Sequence, residues 1–274
     1  MTATQKEKAE RFRALHEGPG AFLIGNCWDA GSARILAGLG FPAIATSSGA
    51  FAGTLGRRDG RVSREEALAH CRAVVEAVDL PVSADLENGF GHAPEFAAET
   101  VRLAAEAGLA GCSIEDATGD PARPLYGFEE ALARIEAAVR AARALALPFT
   151  LTARTENFLR GNPDLADTIR RLKAFADAGA DVVMAPGLPD LDAVRAVCQA
   201  TGKPVNFMVG IPGRSFSLAE LQAAGVRRVS LATALYRAAM TGLVEAAREA
   251  RDEGTFGFVE RAIPTRELAG FMAG

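Results

Sequence analysis

Three short segments hold the side chains best suited to chemistry: PVSADLENGFG from Pro81, GCSIED from Gly111 and FTLTARTEN from Phe149. Successive side chains of an extended chain point to opposite faces. Ser83, Asp85 and Glu87 therefore share one face, against the apolar Val82, Ala84 and Leu86. Ser113 and Glu115 likewise oppose Cys112 and Ile114, and Thr150, Thr152 and Arg154 oppose Leu151 and Ala153. If the segments are neighbouring strands, about 5 Å apart, three carboxylates and a guanidinium converge at one end. Crowded carboxylates raise one another's pKa. A hard divalent cation relieves that repulsion. An all-oxygen donor set completed by water suits Mg2+, with Mn2+ as its substitute. No His/Cys cluster argues for zinc.

Other residues gather around this set. The run ATSSGAFAGTLGRRDGR places Ser48, Gly49 and Ala50 at the end of a further strand. Backbone N–H groups there would cradle a carboxylate or an oxyanion; the alternative is a plain turn. Asp59 in the same run either approaches the metal through water or pairs with Arg57 and Arg58 on the surface. Trp28, the only tryptophan, walls a pocket or fills the core. Asp29 or Ser32 is placed to cap a helix. Cys27 has nothing nearby in sequence to activate it as a nucleophile. His92 is an acid/base candidate or a simple loop histidine. In PVNFMVG, Asn206 and Met208 take the inward face, where an asparagine hydrogen-bonds a ligand or a neighbour.

The elements that must position these residues follow one pattern. A short β-rich run, a polar or Gly-containing loop and an Ala/Leu/Glu/Arg-rich helix recur along the chain. Strands are expected at residues 21–25, 43–47, 82–85, 111–115, 149–154, 181–185, 205–208 and 228–231. Helices are expected at 30–39, 64–78, 94–107, 128–145, 164–178, 191–199 and 218–224, with a longer one at 234–252. Glycines just past helices suit the left-handed C-cap, and Pro81, Pro148 and Pro204 precede strands. Alternation implies parallel strands joined by right-handed crossovers. Eight such units match an α/β fold, a (β/α)8 TIM barrel, whose strand C-termini carry the active site; a doubly wound open sheet is the second choice. The expected division is a barrel catalytic domain over residues 1–254 and a C-terminal helical tail over 255–274. The tail would dock on the barrel or on a neighbouring subunit.

Composition narrows the function. The 274 residues carry 30 Lys/Arg against 34 Asp/Glu, a net charge of −4 at pH 7. That balance offers no basic footprint for nucleic acid or an anionic membrane surface. No apolar run approaches the ~20 residues of a bilayer span. The polar start MTATQKEKAERFRALHEG is not expected to be a signal peptide. Four scattered cysteines without a C-x-x-C pair read as reduced thiols in a cytoplasmic protein.

Taken together, NCWDAGSARILAGLGFPAIATSSG, SADLENGFG, GCSIED and LTARTENF resemble the isocitrate lyase / phosphoenolpyruvate mutase superfamily, in order and over nearly the whole chain. The resemblance implies a (β/α)8 barrel with its last helix exchanged between subunits, in a homotetrameric dimer of dimers. It implies a Mg2+ site and oxo-acid or enolate chemistry at a C–C or C–P bond. Carried over by position, Asp85 is the main metal-facing carboxylate and Glu87 replaces a second acid that is usually Asp. Glu115 ligates directly or through water, and Asp59 sits further out. Arg154 binds the substrate carboxylate or the developing oxyanion, and Ser48, Gly49 and Ala50 hold the oxo-acid carboxylate.

The departures are equally informative. The superfamily's isocitrate and 2-methylisocitrate lyases carry a K-[KR]-C-G-H loop after the fourth strand, and its phosphonomutases an Asn-containing gate. Here SIEDATGDPARPLYGFEEAL has neither Cys nor Asn. Asp120, Arg123 and Tyr126 are what this loop offers instead, and it could close over a substrate. The expected activity is a Mg2+-dependent C–C lyase, by retro-aldol/Claisen cleavage or decarboxylation, acting on a small 2-oxo or 2-hydroxy di- or tricarboxylic acid through an enolate. Tyr126, His92 or a water on the metal would deliver the proton. Two rivals are a phosphonomutase and a catalytically idle barrel that binds a carboxylate metabolite.

Overall fold

The computed structural model describes residues 3–273. Eight parallel strands close into a barrel in chain order: β1 (Phe22–Cys27), β2 (Ile44–Thr46), β3 (Val82–Asp85), β4 (Gly111–Glu115), β5 (Thr150–Arg154), β6 (Val182–Met184), β7 (Val205–Met208) and β8 (Arg228–Ser230). The open-sheet alternative is excluded, because β8 pairs back onto β1 with Phe22 opposite Arg228. Around the barrel lie α2 (Ala30–Gly38), α4 (Arg64–Ala77), α5 (Pro94–Glu106), α6 (Phe128–Arg143), α7 (Leu165–Asp177), α8 (Leu191–Thr201) and α9 (Leu218–Ala223). The outward residues of the strands form the main core: Cys112, Ile114, Leu151 and Val183 pack with Ile135, Leu172 and Phe175, all buried. Each such side chain stabilises the fold by about 1.5–3 kcal/mol.

Two helices were not expected. Helix α1 (Gln5–Glu17) opens the chain with a complete capping box, Thr4 and Glu7 each bonding the other's backbone N–H. It buries only Ala9, Phe12 and His16, too thin a stripe in a polar segment to stand out in the sequence. That stripe packs with Ile24, Ala43 and Ala110 and closes the N-terminal end of the barrel. Gly111 makes the contact possible, since a Cβ there would collide with the Thr150 backbone and the Phe12 ring. Helix α3 (Ser48–Thr54) occupies the segment read as cradle or turn.

After β8 come α10 (Ala234–Arg248), a π-turn (Glu249–Glu253), a 3-10 turn (Gly257–Arg261) and α11 (Thr265–Met272). The tail docks on α2, where Phe271 lies against Gly38 and the Arg34 guanidinium donates to the Met272 carbonyl at 2.5 Å. Helix α10 has no buried residue, and Leu243, Phe256 and Val259 are exposed. Among the described residues no helix is long and apolar enough to cross a membrane.

Candidate active site

At the C-terminal ends of the strands the barrel opens into a cavity of about 830 Å3, lined among others by Ser48, Asp59, Asp85, Glu115, Arg154 and Asn206. Strand register builds it. Asp85 pairs with Ser113, and Glu115, two residues further on, pairs with Arg154, so three adjacent strands deliver their last inward residues to the same end of the barrel. Glu87 follows β3 with φ near +50°, a left-handed conformation that costs a non-glycine residue about 1–2 kcal/mol. Its side chain still reaches the cavity, and its carbonyl accepts from the Glu115 N–H at 2.9 Å.

Arg154 organises the acids. Its Nε lies 2.6 Å from Glu156 Oε1 and 3.3 Å from Glu115 Oε2, and its Nη1 is 3.9 Å from Asp85 Oδ1. Arg160 completes a bracket, with Nε 3.3 Å from Glu156 Oε2 and Nη2 3.8 Å from Glu115 Oε1. Burial works against the Arg154 charge, but Glu115, Glu156 and Asp85 outweigh it and hold the guanidinium protonated more firmly than usual. Burial lifts Glu115 well above the usual carboxylate range; Arg154 opposes that shift, while Glu156 and Asp85 add to it. Glu87 is pushed up to about 7 by burial, then by the charges of Asp85 and Asp59. Asp59 is raised by burial and by Asp85.

Asp85 is held on one side only. Its Oδ2 accepts from the Ser48 hydroxyl at 3.0 Å and from the Ser48 N–H at 3.3 Å. Its Oδ1 is buried with no hydrogen-bond partner. An orphaned carboxylate oxygen in a cavity with Asp59 and Glu87 is the donor a hard cation requires. Among the described residues, however, no three His, Cys, Asp or Glu groups stand close enough to share an ion. Glu115 is engaged by Arg154 and Arg160. The donors present therefore fit a Mg2+-type ion taken directly by Asp85 and otherwise through water, the mode in which Mg2+ keeps much of its hydration.

The remaining sequence candidates separate. Asp59 lines the cavity, its Oδ2 only 3.2 Å from where a Cβ on Gly49 would stand; Arg57 pairs with Glu66 instead. Ser48 and Gly49 line the cavity as the first turn of α3, whereas the Ala50 N–H is turned to Ser47 Oγ, the helix cap. The Gly49 N–H has no partner among the described residues. Asn206 lines the cavity and donates to Ser230 Oγ at 3.0 Å. Trp28 does not line it; its ring stands edge-on to Tyr236, with centroids 5.4 Å apart. His92 and Tyr126 are also off the wall, paired with each other through His92 Nδ1 and Tyr126 Oη at 2.8 Å. The cause is local: Arg134 donates to the carbonyls of Asn88, His92 and Ala93 and pulls this loop back onto α6. The loop after β4 is pinned by an Ala117–Leu125 bridge and contributes Ala117, Thr118 and Gly119 to the cavity rim.

Four participants were not foreseen. Glu156 carried a signal, lying two residues beyond Arg154 on the same face. Asp116 fixes it in place by accepting from the Glu156 N–H at 2.8 Å, the Thr155 hydroxyl at 2.7 Å and Arg171 at 3.1 Å. Arg160 arrives from a 3-10 turn (Asn157–Leu159), for which no periodicity exists. Arg228 sits at the floor, the first residue of β8.

A closed parallel barrel with an acid–guanidinium cluster at its C-terminal mouth defines a (β/α)8-barrel enzyme. The family model described as phosphoenolpyruvate phosphomutase matches residues 12–251. A solved structure of a candidate lyase/mutase from Burkholderia cenocepacia J2315 is 54% identical with a TM-score of 0.96, over 98% of this chain and 97% of that one. Oxaloacetate decarboxylase from Pseudomonas paraeruginosa is 30% identical, over 91% of this chain and 87% of its own length. The 2-methylisocitrate lyase of Escherichia coli is 30% identical, over 83% and 79%. The chain belongs to the phosphoenolpyruvate phosphomutase family, within the isocitrate lyase / phosphoenolpyruvate mutase superfamily. It is an enzyme of that superfamily's carbon–carbon lyase type.

Proposed function

We propose that the protein cleaves a C–C bond of a small 2-oxo or 2-hydroxy di- or tricarboxylic acid through an enolate, with Mg2+, or Mn2+ in its place, beside Asp85. The observation that carries this reading is the Asp85 Oδ1, which has no hydrogen-bond partner and lies 3.9 Å from Arg154 Nη1. When bound, the cation supplies Lewis-acid stabilisation of the developing enolate charge.

The chain's own residues do the rest. The free Gly49 N–H and the Ser48 hydroxyl orient the substrate carboxylate at the start of α3. Arg154, clamped between Glu115 and Glu156, presents a fixed positive charge to the oxyanion and needs no reorganisation as that charge grows. Asp59 and Glu87 stand near Asp85 and would help hold the cation through water. Decarboxylation demands least of this site, because CO2 leaves without a proton being delivered to it, and the decarboxylase relative supports that form of the reaction. With Tyr126 and His92 off the wall, water in the cavity returns the proton to the carbanion. The exposed α10 and tail residues supply the face on which a homo-oligomer would form, a dimer of dimers with its last helix exchanged.

The test is a Mg2+-dependent assay on a panel of 2-oxo and 2-hydroxy acids, with the metal chelated as control. Turnover lost with chelator and in Asp85→Ala supports the lyase; turnover indifferent to both rejects its metal-assisted form, and no turnover of any acid leaves the idle barrel. The family model's name favours one second reading, a phosphonomutase, which a C–P product signal in 31P NMR from phosphoenolpyruvate would establish instead.

A further inference from the structure

Arg228 is an arginine without an acid. It is 5% exposed and lines the same cavity as Arg154, from below. No carboxylate lies within ion-pair distance of it among the described residues. Its Nη2 donates to Thr152 Oγ1 at 2.9 Å, and its Nη1 faces His16 Nε2 at 3.4 Å. His16 Nδ1 is 2.8 Å from the Phe12 carbonyl, which can only accept, so Nδ1 carries the proton and Nε2 meets Arg228 as a neutral acceptor. The Arg228 Nε has no partner at all. Burial lowers this guanidinium to about 9, which still leaves it charged at neutral pH.

A buried charge calls for a counter-charge, and the described residues provide none within ion-pair distance. Arg134 is the instructive contrast: it is equally buried, but its terminal nitrogens hold three main-chain carbonyls and it faces no cavity. Depth sets the scale. Thr152 lies two residues before Arg154 on β5, so the Arg228 guanidinium is one inward layer, about 7 Å, below the Arg154 position. With C–C bonds of about 1.5 Å, the carboxyl carbons of a four- or five-carbon diacid lie about 4–5 Å apart. With each carboxylate lying beside its guanidinium, such a diacid spans the two levels to within about 2–3 Å. In oxalate both carboxylates stay at one level.

We propose that Arg228 anchors the distal carboxylate of the substrate at the barrel floor, making that substrate a dicarboxylic acid of four or five carbons. The reactive end of that acid rests on the lyase reading above; the anion site at Arg228 does not. The test compares succinate, glutarate and oxalate, with Mg2+ present, by calorimetry on the full chain and its Arg228→Met and Arg228→Lys variants. Arg228→Met should weaken succinate and glutarate at least about tenfold and leave oxalate within about twofold, and Arg228→Lys should recover part of the loss. Equal loss for all three acids, no loss for any, or no succinate binding by the native protein overturns the proposal. If Arg228→Met does not fold, native crystals soaked in succinate decide: a carboxylate within hydrogen-bond reach of the Arg228 guanidinium supports the site, and water alone there overturns it. Succinate held by Arg228 in a protein that turns over no oxo acid would leave this inference standing while the lyase reading falls. Turnover of oxaloacetate with KM unchanged by Arg228→Met would do the reverse.

Discussion

Arg154 and Arg228 occupy one cavity under opposite electrostatic regimes. At the mouth, Arg154 is surrounded by Glu115, Glu156 and Asp85, and its charge is already matched before any ligand arrives. At the floor, Arg228 has a hydroxyl, a neutral imidazole and an unused N–H. The mouth can therefore be rigid and ready for chemistry, while the floor is left short of a negative charge. A ligand that brings its own anion completes the floor; one that brings only a reactive carbonyl does not.

The largest effect that could break this comparison comes from Arg154→Ala. It removes the fixed charge at the reacting centre and leaves Glu115 and Glu156 buried without their partner. We expect kcat/KM to fall about 10^3-fold in the oxo-acid assay. Stability in denaturant should fall by about 3–5 kcal/mol. A variant with near-normal turnover would show that the mouth's positive charge orders the acids and does nothing for the reaction. Glu156→Gln is the next step down. It keeps the shape but removes one of the two carboxylates that aim Arg154, as a partner one step removed from the substrate. We expect a 10–100-fold loss, on the order seen for such supporting groups, in kcat rather than KM.

The two ends should also answer to pH with opposite signs in metal-free protein. Glu87 at the mouth has its folded pKa raised from 4.5 to about 7. The folded state binds the extra proton between those values, so this contribution is full below 4.5 and is lost as pH rises through 7. His16 at the floor is lowered from 6.5 to about 3, first by burial and then by Arg228. Its contribution is full above 6.5 and is lost as pH falls toward 3. Thermal unfolding from pH 3 to 8 should therefore lose part of its decline above pH 5 in Glu87→Gln, the rest staying with Glu115 and Asp59, and part of its acid destabilisation in His16→Gln. Matching profiles for native protein and both variants would mean that neither group titrates as its surroundings dictate.

How much of this was legible depended on what periodicity can carry. The inward set of Asp85, Glu115 and Arg154 follows from alternation along buried strands, and the barrel from eight repeats of one unit. Glu156 obeyed the same rule but lay just beyond the strand end, where alternation is no longer guaranteed. Asp59 could be read two ways because a loop has no period, and Gly49 decided it by leaving the space its carboxylate fills. Helix α1 was hidden because a polar helix with three buried side chains has little amphipathic contrast. Arg228 was invisible for a different reason. An arginine at the first position of a strand reads as solvated, and only the closure of the barrel by α1 shows that it is not.

Arg134 extends the comparison to a third arginine and to the smallest effect. Its guanidinium lies 4.4 Å from the centroid of the Tyr126 ring, and the Tyr126 hydroxyl accepts from Asn88 Nδ2 at 3.1 Å. The Arg134 terminal nitrogens are satisfied by neutral carbonyls, its Nε has no partner, and it stands behind the cavity wall, so it shapes the loop that carries Asn88 without meeting the substrate. Tyr126→Phe keeps the ring beneath Arg134 and deletes only the hydroxyl. We expect a stability loss of about 1 kcal/mol for the missing hydrogen bonds and turnover within about threefold of native, since no proton passes through that oxygen. A hundredfold loss of kcat with an unchanged fold would return Tyr126 and His92 to the proton path. It would also mean that the wall between Arg134 and the cavity opens during the reaction.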